Sequence, residues 1–95
     1  MIPTTAISVR VPAALRDACR GAAQFPVAAP DVRTMLDELE RIYPKLHRSV
    51  CDETGAVRRH INVFVNNTSI RDRQGLDTAL ASGDIVTILT AVSGG

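Results

Sequence analysis

The sequence predicts an α+β domain in which a mixed sheet of four to five strands packs on one main helix. Three observations support this prediction. Strand-like alternation of apolar residues occurs near both ends of the chain, and a long amphipathic helical pattern lies between them. One apolar stripe on a helix needs a sheet or another helix to cover it. The length of 95 residues, of which 45% are hydrophobic and 22% charged, fits one small folded domain.

The first strand is predicted over residues 4–11, where every second residue is apolar and Pro12 ends the pattern. The residues that share its apolar side are Ile7, Val9 and Val11. Residues 15–21 are predicted to form a connection with a helical turn. A weaker second strand follows over residues 22–27, and Pro26 restricts it to the edge of the sheet because proline has no N–H to donate.

The main helix is predicted to begin after Asp31, which suits the N-cap position, and to end at Pro44. Its apolar residues recur at helical intervals, and charged residues fill the opposite side. The apolar set is Val32, Met35, Leu36, Leu39, Ile42 and Tyr43. Residues 45–57 lose this periodicity and are predicted to form a polar connection that exposes Cys51.

Alternation returns over residues 59–66, which predicts a third strand ending in a turn at Asn66-Asn67. The elements predicted after it are a short strand over 68–70, a helical turn over 76–80, a turn over 82–84 and a last strand over 85–89. The first and last strands are the most apolar and should lie side by side at the centre of the sheet. That arrangement is the β-grasp, or ubiquitin-like, fold. The domain is predicted to span residues 1–90, followed by a flexible tail over 91–95.

The composition argues against several classes of function. A net charge of +1 is too small to recruit duplex DNA or an anionic membrane by electrostatics. Two Phe, one Tyr and no Trp do not provide an aromatic platform for single-stranded nucleic acid. No apolar run approaches the ~20 residues of a spanning helix, and the first five residues do not resemble a signal peptide. We therefore expect a cytoplasmic protein that binds neither nucleic acid nor membrane.

The sequence predicts no bound metal or cofactor. Cys19 and Cys51 lie 32 positions apart and form no zinc or iron–sulfur spacing, so two free thiols are expected in a cytoplasmic chain. His47 and His60 are too isolated to propose as ligands. Arg58, together with Arg59 and His60, is interpreted as part of a solvated loop end rather than a phosphate site.

The chain closes on two glycines directly after a β-branched strand. Gly94 and Gly95 have no Cβ and can pass a narrow channel in conformations closed to other residues, with Val92 and Ser93 leading to them. Fully extended, residues 91–95 reach about 17 Å. The terminal carboxylate could therefore enter a partner's active site, where adenylation by ATP would activate it. Sulfide could then displace the adenylate and leave a thiocarboxylate on Gly95. Without the fold context, a frayed solvated terminus would be the simpler interpretation.

The sequence resembles the sulfur carriers of the MoaD/ThiS family, and within it the longer members of the CysO type. The residues that carry the resemblance lie on the helix, the middle strand, the last strand and the tail. They are Leu36-Asp37-Glu38-Leu39-Glu40 with Tyr43, Asn62-Val63-Phe64-Val65-Asn66, Leu76, Ala79, Ala81-Ser82-Gly83-Asp84-Ile85-Val86-Thr87-Ile88-Leu89 and Ala91-Val92-Ser93-Gly94-Gly95. One departure is Thr90, where many relatives carry proline.

The resemblance implies a carrier rather than an enzyme. Gly95 would be adenylated by a MoeB/ThiF-type activating enzyme, which uses the ATP, and then converted to a thiocarboxylate. In the CysO type the sulfur reaches a PLP-bound aminoacrylate in a cysteine synthase, and a metallopeptidase releases the cysteine. Other branches of the family supply molybdopterin, thiamine or secondary metabolites. A carrier that visits several enzymes is expected to be a monomer.

Alternation also predicts where partners bind. Val86 and Ile88 should face the helix, which turns Thr87 and Leu89 outward, and the neighbouring strand should present Phe64 on the same side. We call Phe64, Thr87 and Leu89 the outer-face patch and predict that it contacts partners, as this sheet face does in the family. The alternative is that arginine stems half-cover Phe64.

Two other functions remain open at this stage. One is a β-grasp interaction module or ubiquitin-like modifier that transfers no sulfur. Lys45 is the only lysine, so as a modifier the chain is predicted to form no polymeric conjugates. The other is a persulfide carried on Cys51 in the polar connection.

Overall fold

The structure, a computed structural model, describes residues 5–90. Its strands and α-helices are β1 (Ala6–Arg10), β2 (Gln24–Ala28), α1 (Val32–Ile42), α2 (Pro44–Val50), β3 (Ile61–Val65), β4 (Thr68–Ser69) and β5 (Ile85–Thr90). Short 3-10 helices occupy Ala13–Cys19, Ile70–Asp72 and Gly75–Asp77. The predicted tail over residues 91–95 lies outside the described residues, as do residues 1–4.

The five strands form one mixed sheet in the order β2-β1-β5-β3-β4. β1 and β5 run parallel, and the other neighbouring pairs are antiparallel. The predicted pairing of the first and last strands is therefore confirmed, and the architecture is the β-grasp fold. β2 is an edge strand, as Pro26 predicts. Pro26 lies opposite Ser8, between the pairs that exchange backbone hydrogen bonds, so its missing N–H would point away from the sheet.

One face of the sheet packs on the helices and forms the core. Alternate residues of each long strand are buried on this face, and the apolar stripe of α1 covers them. The buried strand residues are Ile7, Val9, Val27, Ile61, Val63, Val65, Val86 and Ile88, and the buried residues of α1 are Val32, Met35, Leu36 and Leu39. The predicted inner face of the sheet is thus confirmed. Phe25 and Tyr43 extend the core with an edge-to-face ring contact whose centroids are 5.0 Å apart.

The predicted helix cap at Asp31 and the predicted turns at Asn66-Asn67 and residues 82–84 lie at the ends of helices and strands in the structure. Asp31 caps α1 by accepting a hydrogen bond from the Thr34 N–H at 2.7 Å. Asn66 adopts a left-handed conformation with φ of 55° in the turn after β3. Gly83 has φ of 90° in the turn before β5, where the Asp84 N–H donates to the Ala81 carbonyl at 3.0 Å.

The predicted polar connection over residues 45–57 is wrong in its first half, which forms the helix α2. Pro44 does lie at the end of α1, but it also occupies the first turn of α2, where its missing N–H costs no hydrogen bond. Leu46 and Val50 are four positions apart and fully buried, so this helix contributes to the core. The single main helix of the prediction is therefore followed by a second, shorter one.

Smaller differences concern element ends. The predicted helical turn over 76–80 is a 3-10 helix over Gly75–Asp77, and the short strand over 68–70 ends at Ser69. Ile42 was expected in the apolar stripe of α1, yet it is 40% exposed, because α1 ends there and the chain turns into α2. Among the described residues, the helices are too short or too polar to traverse a lipid bilayer.

Candidate functional site

The outer face of the sheet, opposite the helices, holds the predicted patch. β3 and β5 pair so that Phe64 lies directly opposite Thr87, and Asn62 opposite Leu89. Phe64 and Thr87 are half-buried, whereas Leu89 is 42% exposed. The structure therefore brings the three residues of the outer-face patch together on the side that the alternation predicted. Their role in binding a partner stays a prediction.

A groove borders the patch on the β1 side. It has a volume of about 400 Å³ and is lined by Thr87 and Leu89 of β5 and by Arg10 and Gln24 of the neighbouring strands. Arg10 lies beside Thr87 in the parallel pairing of β1 with β5. The groove is open to solvent, which suits a protein partner better than a small molecule.

Arg71 borders the patch on the other side. Its guanidinium donates to the side-chain oxygen of Asn62 and, at 2.9 Å, to the carbonyl oxygen of Ile61. A longer hydrogen bond of 3.3 Å reaches the carbonyl oxygen of Arg58. The sequence analysis did not identify this residue. A short 3-10 helix has no periodic pattern that would show which strand Arg71 contacts.

The root of the tail lies next to the patch. Thr90 is the last described residue and pairs with Ile61 of β3, one position beyond Leu89. The predicted site residues Val92, Ser93, Gly94 and Gly95 lie outside the described residues. The structure thus describes the body that would present them as far as Thr90, the residue that precedes this segment.

The predicted exposure of Cys51 is wrong. Cys51 is only 2% exposed, because α2 carries it against the core and it pairs with Val57 in an isolated bridge. Burial, together with the nearby Asp52 carboxylate, raises the pKa of the thiol to about 11. A buried, protonated thiol is a poor nucleophile, so the structure speaks against a persulfide carrier at this position.

The second thiol has a structural role as well. Cys19 is fully buried, and its Sγ donates to the carbonyl oxygen of Ala22 at 3.3 Å. Burial raises the pKa of the Cys19 thiol. Both cysteines are free.

The residues beside Cys51 line a polar cleft of about 470 Å³ between α1, α2 and the loop that follows. Its wall carries both signs of charge, and the Nδ1 atom of His47 lies 3.6 Å from a carboxylate oxygen of Glu40. Within residues 5–90, no three His, Cys, Asp or Glu side chains are grouped so that they could hold a metal ion. Arg58, which was predicted as part of a solvated loop end, donates from Nε to the carbonyl oxygen of Arg48 at 3.0 Å and so braces the end of α2.

Comparison with known proteins agrees with this geometry. The family model described as the ThiS family matches residues 9–95. The sulfur carrier protein CysO of Mycobacterium tuberculosis is 33% identical over 91 residues, which cover 94% of this chain and 98% of the relative. Its crystal structure superposes with a TM-score of 0.84 at 32% identity, over 90% of this chain and 99% of that one.

Two further solved structures extend the comparison. A chain of the Amycolatopsis orientalis BexX/CysO complex matches with a TM-score of 0.80 at 33% identity, over 94% of this chain and 99% of the solved chain. The small archaeal modifier protein 1 of Methanosarcina acetivorans matches with a TM-score of 0.83 at 31% identity, over 99% and 100%. The resemblance to the MoaD/ThiS family and its CysO type is confirmed. The chain, with its β-grasp body and its match running to the final glycine, belongs to the ThiS family.

Proposed function

We propose that this protein is a cytoplasmic sulfur carrier of the CysO/ThiS type whose reactive group is the carboxylate of Gly95. The observation that carries the proposal is the family match through Gly94-Gly95, a few residues beyond β5, the strand that carries Thr87 and Leu89 of the outer-face patch. The relatives named as sulfur carriers support the general assignment.

The chemistry needs an activating enzyme, since a carboxylate does not react with sulfur nucleophiles at neutral pH. An oxygen of the Gly95 carboxylate attacks the α-phosphorus of ATP, and pyrophosphate leaves. Hydrosulfide then attacks the acyl carbon, forming a C–S bond as the C–O bond to phosphate breaks. AMP departs with that oxygen, the proton of the hydrosulfide goes to solvent, and a thiocarboxylate remains. No side chain of the carrier takes part, so the chain is a co-substrate rather than an enzyme.

The body of the protein contributes recognition. In our proposal the outer-face patch docks on a MoeB/ThiF-type activating enzyme while residues 91–95 enter its active site. Burying Phe64 and Leu89 against the partner would favour binding, with a hydrophobic free energy of about 25 cal/mol for each Å² of apolar surface removed from water. Small residues in the tail let it pass a narrow entrance.

For the acceptor we favour cysteine biosynthesis, in line with the resemblance to the CysO type. The thiocarboxylate sulfur would add to the β-carbon of a PLP-bound aminoacrylate in a cysteine synthase. The acyl group would then shift to the amine, and a metallopeptidase would hydrolyse the new bond and release cysteine. Molybdopterin, thiamine and secondary-metabolite pathways are the alternatives.

A second candidate function is protein modification without sulfur transfer. It is favoured by the 31% identity to a protein that is named a small archaeal modifier protein. Both functions begin with adenylation of Gly95, and they differ in the nucleophile that takes the acyl group. A target lysine would give an isopeptide bond, whereas sulfide would give a thiocarboxylate.

The test is ATP–pyrophosphate exchange catalysed by a MoeB/ThiF-type enzyme in the presence of the carrier. We expect exchange with the full chain and none with a variant that lacks Gly94 and Gly95. Lys45→Arg is the matched control, since it changes an exposed residue on α2 and should support full exchange. Undiminished exchange with the shortened chain would overturn the proposal. Adding sulfide or a lysine-bearing acceptor protein then separates sulfur transfer from modification.

A further inference from the structure

The outer face of the sheet is free of acidic residues along its strands. Residues at alternate positions point to this face. Those of β1 and β2 are Ala6, Ser8, Arg10, Gln24, Pro26 and Ala28, and those of β3 and β5 are Asn62, Phe64, Ile85, Thr87 and Leu89. Arg10 is the one charged residue among these described positions, and it is a cation.

Arg10 belongs to a row that crosses three strands. It lies beside Thr87 in the β1–β5 pairing, and Thr87 lies opposite Phe64 in the β5–β3 pairing. The Arg10 side chain is exposed, and no carboxylate of residues 5–90 lies within ion-pair distance of it. Its charge therefore flanks the patch without an acidic partner in the described part of the chain.

Arg71 supplies a second cation on the opposite flank. The Asn62 side chain points outward beside Leu89, and the Arg71 guanidinium donates to the side-chain oxygen of Asn62. A further bond to the Ile61 carbonyl oxygen at 2.9 Å fixes its position along β3. All of these acceptors are neutral, so the hydrogen bonds orient the guanidinium without cancelling its charge.

On the helix side, Arg48 of α2 also has no ion pair with a described carboxylate, but two other arginines do. There, Arg33 forms an ion pair with Asp77 at 3.0 Å, and Arg41 forms one with Glu38 at 2.6 Å. These cations are neutralised within the chain. The two cations beside the patch are not paired with any described carboxylate, although the whole chain has almost as many acidic as basic residues.

We propose that Arg10 and Arg71 select the docking partner by charge. The partner surface would be apolar at its centre, to cover Phe64 and Leu89, and would carry carboxylates on both sides, one facing each arginine. This inference rests on the proposed function and assigns that surface to the activating enzyme. Charges at the edge of an interface mainly set the association rate and the register of docking, and salt screens them.

The experiment measures binding and catalysis separately. Binding of the carrier to the activating enzyme is titrated by calorimetry without ATP, and adenylation rates give KM and kcat for the carrier. Arg10→Glu should raise Kd and KM about fivefold to tenfold at ~0.1 M salt and leave kcat unchanged. At ~1 M salt, where the screening length falls to about 3 Å, most of the difference should vanish.

Matched variants show whether an effect comes from the charge at these two positions rather than from the net charge of the protein. Lys45→Glu makes the same change in net charge on α2 and should bind like the wild type. Arg71→Gln should weaken binding, whereas Arg71→Lys keeps the charge and should restore most of it. Arg10→Gln, a milder change, should fall between the wild type and Arg10→Glu. Thermal unfolding of each variant checks that the fold is retained.

Failure of the docking inference and failure of the proposed function give different results. Intact, charge-sensitive binding without adenylation would contradict the role of Gly95 and leave the docking inference standing. The docking inference is overturned if the wild-type chain does not bind the enzyme, if Arg10→Glu and Arg71→Gln bind as tightly as the wild type, or if Lys45→Glu weakens binding equally.

Discussion

Ile61 lies opposite Thr90 at the end of the β3–β5 pairing, so the last described residue is still held by the sheet. Leu89 of the outer-face patch immediately precedes Thr90. A partner that covers the patch therefore sits beside the point where residues 91–95 begin. Recognition of the body and access to the chain end are thus linked by a single strand.

Phe64→Asp should abolish adenylation without unfolding the protein. The side chain is half-buried on the outer face, so a carboxylate there remains solvated in the free protein and would be desolvated in the complex. Ile42→Asp is the matched control, because Ile42 is 40% exposed on the helix side and should tolerate the change. Pyrophosphate exchange measures the effect. Full activity of Phe64→Asp, or an equal loss in Ile42→Asp, would refute a docking role for the patch.

Leu46→Ala should destabilise the fold by about 2–5 kcal/mol, the usual cost of truncating a buried leucine. Leu46 is fully buried although it lies in the segment whose sequence is mostly polar. Leu89→Ala, at a 42% exposed position, should cost less than about 1 kcal/mol. Urea unfolding of both variants gives the comparison. Equal, small losses would mean that α2 does not pack on the core as described.

The second helix illustrates what sequence pattern can and cannot predict. The long strands and α1 have five or more residues of clear periodicity, and the strong apolar character of the first and last strands predicts their pairing at the centre of the sheet. α2 has seven residues and two buried apolar positions, too few to stand out, and a proline such as Pro44 suits the first turn of a helix as well as the end of the preceding one. The prediction of an exposed Cys51 is wrong for the same reason, since this residue follows α2 directly and is buried with it.

The candidate site likewise contains residues that the sequence predicts and one that it does not. Phe64, Thr87 and Leu89 could be placed on one face because alternation within a strand is a local property. Arg71 could not, because its contacts with Asn62 and Ile61 depend on how a short 3-10 helix folds back on the sheet edge. Contacts between side chains of different elements depend on the tertiary fold and leave no local pattern in the sequence.

Cys51 should resist thiol reagents in the native protein and react once the chain is unfolded in urea. Its thiol is buried and its pKa is raised to about 11, so almost no thiolate is present at neutral pH. Because the unfolded chain loses this proton at lower pH than the native state, stability should fall as pH rises from about 8.5 through the native value. Cys51→Ala should remove that alkaline component. Rapid native labelling at pH 7 would contradict the buried position.

Asp31→Asn should reduce the amount by which the free energy of unfolding falls as the pH is lowered into the acid range. The hydrogen bond from the Thr34 N–H lowers the pKa of the Asp31 carboxyl, so its contribution is present above the unfolded pKa and is lost as pH falls through the native one. Asparagine still caps the helix but does not titrate. Asp31→Ala should instead cost about 1 kcal/mol at neutral pH. Urea unfolding at several pH values tests both predictions. If the free energy of unfolding of Asp31→Asn falls in acid as steeply as that of the wild type, the Asp31 carboxylate does not stabilise α1 as described.

Intact-mass spectrometry after incubation with ATP, the activating enzyme and sulfide shows whether Gly95 becomes the thiocarboxylate. Replacing one oxygen of the Gly95 carboxylate by sulfur adds about 16 Da, and fragmentation should place the gain on the C-terminal peptide. We expect this gain in the wild type and in Cys51→Ser, and none in the chain that lacks Gly94 and Gly95. Sulfur uptake by the shortened chain, or a wild-type gain that disappears in Cys51→Ser, would contradict the assignment to Gly95.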